Sequence, residues 1–184
     1  MGQYGHRKRF FGKVLFWQDV LAGLYDYDLY LRPMSDHYKK SHLKYSRYSG
    51  GKWDYIYKYV DLTLELLAVK CEIAENIKPA YDRGDRETLG RIKDELLPEL
   101  LTLTDKVHAA NKDAWLCDCK TSNVFMLDIR YGGAKERIKT AIMLLDRYLS
   151  GDLDVIDDLA EPRLKSRYFG FDNYFKIASP TGGI

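Results

Sequence analysis

Cysteine is scarce in this chain. Cys71, Cys117 and Cys119 are few and odd in number, which fits a reducing compartment better than a disulfide framework, so a cytoplasmic location is expected. No apolar run is long enough to cross a bilayer, and no membrane partner is expected. The run from Phe10 to Trp17 is too short for the core of a signal peptide, and Gly12 and Lys13 interrupt it. Lys93-Asp94-Glu95-Leu96 spells a retention signal but lies inside the chain, where it has no meaning. Charge of one sign is also lacking. The net value is +2, so charge does not argue for nucleic acid, and the short basic run His6-Arg7-Lys8-Arg9 is read as solvated.

The motifs of common chemistries are missing as well. His6, His37, His42 and His108 form no His-Glu-x-x-His pair, and no second Cys/His pair follows Cys117 and Cys119 at finger spacing. No metal site is expected. There is no Gly-x-Ser-x-Gly elbow, no phosphate-cradling glycine loop and no dinucleotide fingerprint, so no cofactor is expected. Asp94-Glu95 and Asp157-Asp158 are adjacent acidic pairs. A glycosidase needs carboxylates placed across a cleft, and Asp94 and Glu95 read instead as a solvated helix face.

What is present is helical pattern and tyrosine. Hydrophobic residues make up 46% of 184, enough for one domain with its own core. Residues 1–12 read as a frayed or tag-derived end, 13–165 as a helical domain, and 166–184 as an aromatic tail that packs back on it. Lys13 to Trp17 reads as a short strand, an extended segment near the N-terminus. Gln18 to Asp26 reads as a loop or a single turn. Ser35 or Asp36 can cap a short helix running to about Tyr48.

Three long helices follow, which makes the fold class all-α, an antiparallel bundle with short helices around it. The first runs from about Trp53 to Tyr81 with Ile56, Val60, Leu64, Leu67, Cys71, Ala74 and Ile77 on one stripe. The second begins after Asp85, which offers capping chemistry with Thr88. Its stripe runs Leu89, Ile92, Leu96, Leu100, Leu103, Val107, Ala110 and Ala114, and Pro98 should bend it without ending it. The third starts at Ser122 or at Gly133 and ends at Leu149, with Ala134, Ile138, Ala141, Ile142 and Leu145 in phase. Leu153 to Leu159 reads as a short helix ahead of Pro162.

Two features stand out as candidate sites. Asp128-Ile129-Arg130-Tyr131-Gly132-Gly133 places adjacent glycines in or beside a helix, where each costs roughly 1 kcal/mol relative to alanine. Either a turn lies here, or another segment comes close where a side chain would block it. In the second case Arg130 is expected to be held by a carboxylate in this chain, a second copy or another domain, with Asp128 beside it. The other feature is the density of tyrosine, 15 in all and crowded into the first third. It can be a docking face for protein, a platform for glycan, or an ordinary half-buried layer.

Phe16-Trp17-Gln18-Asp19-Val20-Leu21-Ala22-Gly23-Leu24-Tyr25-Asp26 resembles a segment of bacterial family 20 β-N-acetylglucosaminidases. In those enzymes an aromatic, Asn or Gln, Asp, Pro, Leu, Leu, Gly, an apolar residue, an aromatic and Asp follow the catalytic barrel. Asp128 to Gly133 is similar to a second segment of the same enzymes, and Tyr148-Leu149-Ser150-Gly151 with Glu161-Pro162-Arg163-Leu164 to their closing pattern. Val20 and Ala22 depart from the usual Pro and Leu. Cys119-Lys120-Thr121-Ser122-Asn123 replaces the usual Asn-Lys-Pro-Phe-Gly. The resemblance implies a non-catalytic C-terminal helical domain of a hexosaminidase whose barrel is a partner. It further implies a homodimer, with carbohydrate bound only through the full enzyme. The family's His-x-Gly-x-Asp-Glu catalytic setting is absent here. Trp17, Gln18, Asp19, Asp128, Arg130, Gly132 and Gly133 are the positions it marks as structural or partner-site candidates. The alternative is a free-standing helical module that binds protein or glycan through its tyrosines.

Overall fold

The structure, a computed structural model, describes residues 14–45, 47 and 50–163. The basic run at His6–Arg9 and the aromatic tail, residues 166–184, lie outside the described residues. In chain order the elements are α1 (Asp26–Leu31), α2 (Ser35–Tyr45), α3 (Asp54–Arg83), α4 (Arg86–Arg91), a π turn (Ile92–Leu96), α5 (Leu97–Asp118), a 3-10 turn (Thr121–Asn123), α6 (Val124–Ser150) and α7 (Asp157–Ala160). No strand occurs among them, so the all-α reading holds.

Three long rods make the bundle: α3, the continuous run from α4 through α5, and α6. α5 packs between α3 and α6, and α2 lies along α3. The expected stripes are the ones buried. Leu67, Cys71, Ala74 and Ile77 from α3 meet Ile92, Leu96, Leu100, Leu103 and Val107, and Ile138, Ala141 and Leu145 close the core from α6. The start of α3 departs from its stripe, because Ile56 there is 37% exposed.

Local chemistry sets the joints. Gly84 takes the left-handed conformation, φ 64°, at the end of α3, where the amide of Asp85 returns to the Ala80 carbonyl at 2.9 Å. Asp85 then caps α4, its carboxylate accepting from the Thr88 amide at 3.0 Å. Pro98 does not end its helix. It lacks the N–H that would reach back to Asp94. A π turn sits just before it, the Leu97 amide bonding the Ile92 carbonyl, and α5 runs on. Pro79 likewise lies within α3, which continues to Arg83.

The N-terminal strand expected at Lys13–Trp17 is not found. Residues 14–17 are helical. Val14, Leu15 and Phe16 are all buried, so the run has no solvent face and no alternation to specify a strand. The irregular stretch after it matches the loop reading, though it closes into α1 at Asp26. The third long helix starts at Val124, which places Gly132 and Gly133 inside α6.

Leu97 and Pro98 offer a direct comparison. Leu97 is fully buried and Pro98 is exposed. Leu97→Ala should cost about 2–5 kcal/mol in urea denaturation. Pro98→Ala should not destabilise the domain, because it restores a donor to an unbroken helix.

Candidate functional site

The N-terminal turn ends against a buried lysine. Lys70 comes from the middle of α3 and is 6% exposed. Its ammonium donates to the carbonyls of Phe16 and Gln18, both at 2.6 Å. Those carbonyls lie at the C-terminal end of the turn, where a cation is favoured. Gln18 is itself buried. Its amide donates to Asp26 Oδ1 at 2.9 Å and its side-chain carbonyl accepts from the Tyr25 amide at 3.0 Å.

Two carboxylates complete the loop. Asp19 Oδ2 accepts from the amides of Leu21 and Ala22 at 3.0 and 3.3 Å. Its Oδ1 accepts from Arg137 Nε of α6 at 2.7 Å, and Arg137 also reaches Asp158 at 3.4 Å. Asp26 Oδ2 accepts from the Gly23 amide at 2.8 Å. Arg163 lies beside Asp26, Nε to Oδ2 at 3.6 Å, and donates to the Leu21 carbonyl at 2.7 Å. Gly23 has no room for a side chain: a Cβ would sit 2.3 Å from both Asp26 Oδ1 and Gln18 Nε2.

Burial works to raise the Asp19 carboxyl, but Arg137 and the amides of Leu21 and Ala22 outweigh it and hold the group below its ordinary value. Burial pushes Asp26 up to about 7, against the pull of Arg163, the Gly23 amide and Lys70. The same burial brings Lys70 down to about 8, opposed by Asp19 and Asp26.

α6 meets this loop through Tyr131. Its ring is fully buried, stacked on His108 at 4.5 Å and edge-on to Trp17 at 4.9 Å, and its hydroxyl accepts from Asn111 at 3.0 Å. The neighbouring candidates diverge. Asp128 faces α5, contacting His108 Nε2 at 2.8 Å and Lys112 at 3.3 Å. Arg130 lies over the Trp17 ring at 5.8 Å, and its Nε is buried without a hydrogen-bond partner among the described residues. A Cβ at Gly132 or Gly133 would meet nothing within 4 Å. Within the described chain, then, no carboxylate holds Arg130, Asp128 turns to α5, and nothing packs on the glycines.

Beside the loop a groove of about 750 Å³ opens between the N-terminal turn and α6. Trp17, Asp19, Leu100, Ile129, Gly133 and Arg137 are among the residues lining it. Asp19 and Asp158 in its wall are both engaged by Arg137. Asp94 and Glu95 are exposed, and Asp94 contacts Lys93 at 2.8 Å. Among the described residues no group of three or more His, Cys, Asp or Glu is placed to hold a metal ion. The tyrosines are spread from core to surface. Tyr25 and Tyr38 are buried, while Tyr30 and Tyr57 are exposed.

Of the sequence-marked residues, Trp17, Gln18, Asp19 and Gly133 line the groove, and Arg130 lies over the Trp17 ring. Lys70 and Arg137 carry the arrangement and were not singled out, while Tyr131 and Arg163 lie in stretches that were, with no role given to either. Lys70 had a visible signal: it lies among the apolar positions of the α3 stripe, one residue before Cys71.

A sequence model of the family described as Glycoside Hydrolase 20C C-terminal domain matches residues 5–173. Among curated proteins no sequence matches.

The two kinds of glycine should behave oppositely in thermal or urea unfolding. Gly23→Ala should cost about 3 kcal/mol, the upper end for overpacking. Gly133→Ala should be neutral or stabilising by up to about 1 kcal/mol, since alanine favours a helix interior. Asp26 generates a pH dependence. Its carboxyl is raised on folding from 3.8 to about 7, so its stabilising effect is full below the lower value and lost as pH rises through the higher one. Asp26→Asn should cost about 1–3 kcal/mol in mildly acidic buffer, by facing an N–H toward the Gly23 amide. That deficit should shrink as the denaturation series is carried above neutral pH.

Proposed function

The chain belongs to the Glycoside Hydrolase 20C C-terminal domain family, and on that premise we propose that it serves as the non-catalytic helical domain of a family 20 β-N-acetylhexosaminidase. In that enzyme a separate barrel hydrolyses terminal N-acetylhexosamine. This domain packs on the barrel and contributes to a homodimer. The observation that carries the reading is the family match, which spans all of the described residues.

The chemistry of the groove supports it. Of the groove's three carboxylates, Asp19 and Asp158 are tied to Arg137, Glu136 contacts Lys139 at 3.2 Å, and Asp19 is held below its ordinary value. A general acid for glycoside cleavage needs the reverse, a carboxyl raised toward neutrality and facing the substrate. Asp26 is raised, but it is sealed beneath Gln18, Gly23 and Arg163 with no access to a substrate. A cytoplasmic location fits three free thiols, Cys71, Cys117 and Cys119. Among the described residues no helix is long and apolar enough to cross a membrane.

A second reading has its own observation. Trp53, Tyr30 and Tyr57 are exposed at 50%, 57% and 39%, as aromatic side chains of a free-standing protein- or glycan-binding module would be.

The test joins activity to assembly. The chain alone should give no turnover of an aryl N-acetyl-β-glucosaminide above buffer, and a purified family 20 barrel should co-elute with it and gain thermal stability. Turnover that follows the chain through repeated purification would overturn the non-catalytic assignment. A barrel that ignores the chain, together with glycan binding lost on Trp53→Ala, would favour the second reading.

A further inference from the structure

The three cysteines divide by position. Cys71 is fully buried in the middle of α3, while Cys117 and Cys119 are exposed and one residue apart where α5 ends. We propose that Cys117 and Cys119 are a reversible dithiol pair, and that closing them into a disulfide unwinds the end of α5 and loosens its corner with α6. Neither thiol lines the groove or touches the Lys70 loop.

The backbone allows the bond but not in its resting form. Asp118, between the two, is the last helical residue of α5, and a helical residue sets its neighbours' Cα atoms about 5.4 Å apart. That separation lies inside the range of about 4.4–6.8 Å that a disulfide spans. The side chains are another matter. Residues two apart on a helix point to different faces, so the sulfurs cannot meet while the last turn is intact. Cys119 is the residue able to swing. It is the first past the helix, its backbone is extended at φ −126° and ψ 162°, and its amide holds the Trp115 carbonyl at 2.8 Å. An exposed helix end is the part of a fold that opens at least cost.

That movement reaches beyond the pair. The Trp115 indole N–H donates to the Lys120 carbonyl at 2.9 Å, and the Tyr55 hydroxyl, from the start of α3, donates to Asp118 at 2.9 Å. Lys120 leads directly into the 3-10 turn and α6. A ring closed across residues 117–119 therefore disturbs how α5 is tied to α3 and how the chain enters α6. Exposed or strained disulfides are the labile ones, reduced again once the oxidant is gone. Such a bond suits the reducing compartment that the scarcity of cysteine leads one to expect, where disulfides are transient and redox-sensing.

The oxidant is a low-molecular-weight disulfide such as glutathione disulfide. One cysteine thiolate attacks a glutathione sulfur, forming a mixed disulfide and expelling a glutathione thiolate. The other cysteine, as thiolate, then attacks the protein sulfur of that mixed disulfide and expels the second glutathione. Two protein thiols are oxidised to one disulfide, the glutathione disulfide is reduced to two thiols, and the two cysteine protons pass to the departing thiolates.

The whole chain is treated with glutathione disulfide, denatured, alkylated with iodoacetamide and cut with trypsin. Cleavage places Cys117 and Cys119 together in residues 113–120, and Cys71 apart from them in residues 71–83. The 113–120 fragment should lose two hydrogens and carry neither glutathione nor an alkyl group, while Cys71 is alkylated. Dithiothreitol should restore both thiols. Cys117→Ser and Cys119→Ser, at exposed positions, should each stop at one bound glutathione. In the oxidised parent, amide exchange should quicken by about tenfold or more across residues 117–124 and stay unchanged at residues 66–77. Two glutathiones held by the parent, chains cross-linked through these cysteines, or thiols that stay free in excess oxidant would overturn the pair. A ring that closes while exchange at residues 117–124 keeps its reduced rate would overturn the unwinding.

Discussion

The domain depends on one buried ammonium. Lys70 Nζ sits against the carbonyls of Phe16 and Gln18, with Asp19 and Asp26 close enough to oppose the cost of its burial. A lone buried charge would deprotonate or pull its segment into solvent. Here it ties the N-terminal turn to the middle of α3. Removing one partner from a buried charged set typically costs about 3–5 kcal/mol, because the rest is left uncompensated. The cluster is thus a stronger specifier of local geometry than of net stability.

From that ammonium the ties run outward. Asp19 takes Arg137 from α6, Arg137 takes Asp158 from α7, and Arg163 closes onto Asp26 and the Leu21 carbonyl. Segments far apart in sequence are thereby held to one irregular loop. The loop can be this tight because Gly23 has no side chain, and a methyl group there would strike both Gln18 and Asp26. Tyr131 sets the remaining distance, wedging its buried ring between Trp17 and His108 so that α6 stands beside the loop with a groove between them.

This arrangement has the character of a scaffold. Its charged groups are spent on one another, and the acidic residues at the groove are ion-paired. What it leaves open is shape: a cavity, a bare stretch of helix and the exposed side chains of Phe125 and Ile129.

The sequence by itself determined the three long helices, because apolar residues at helical spacing bury one stripe whatever the partner, and Asp85 and Thr88 make their cap within a single turn. It also marked Trp17, Gln18 and Asp19, through the resemblance of the Phe16–Asp26 segment to family 20 enzymes, and in the fold Gln18 bonds Tyr25 and Asp26 a few residues on. It misread residues 14–17, because a short apolar run buried on every side carries no period. Gly132 and Gly133 drew attention in the sequence, yet they face open space, while Gly23 in the loop is the crowded one. Only the tertiary structure decided that difference. Local pattern says where a side chain is missing; which atoms fill the space depends on contacts such as Arg137 to Asp19 and Arg163 to Asp26, made between segments that no local spacing relates.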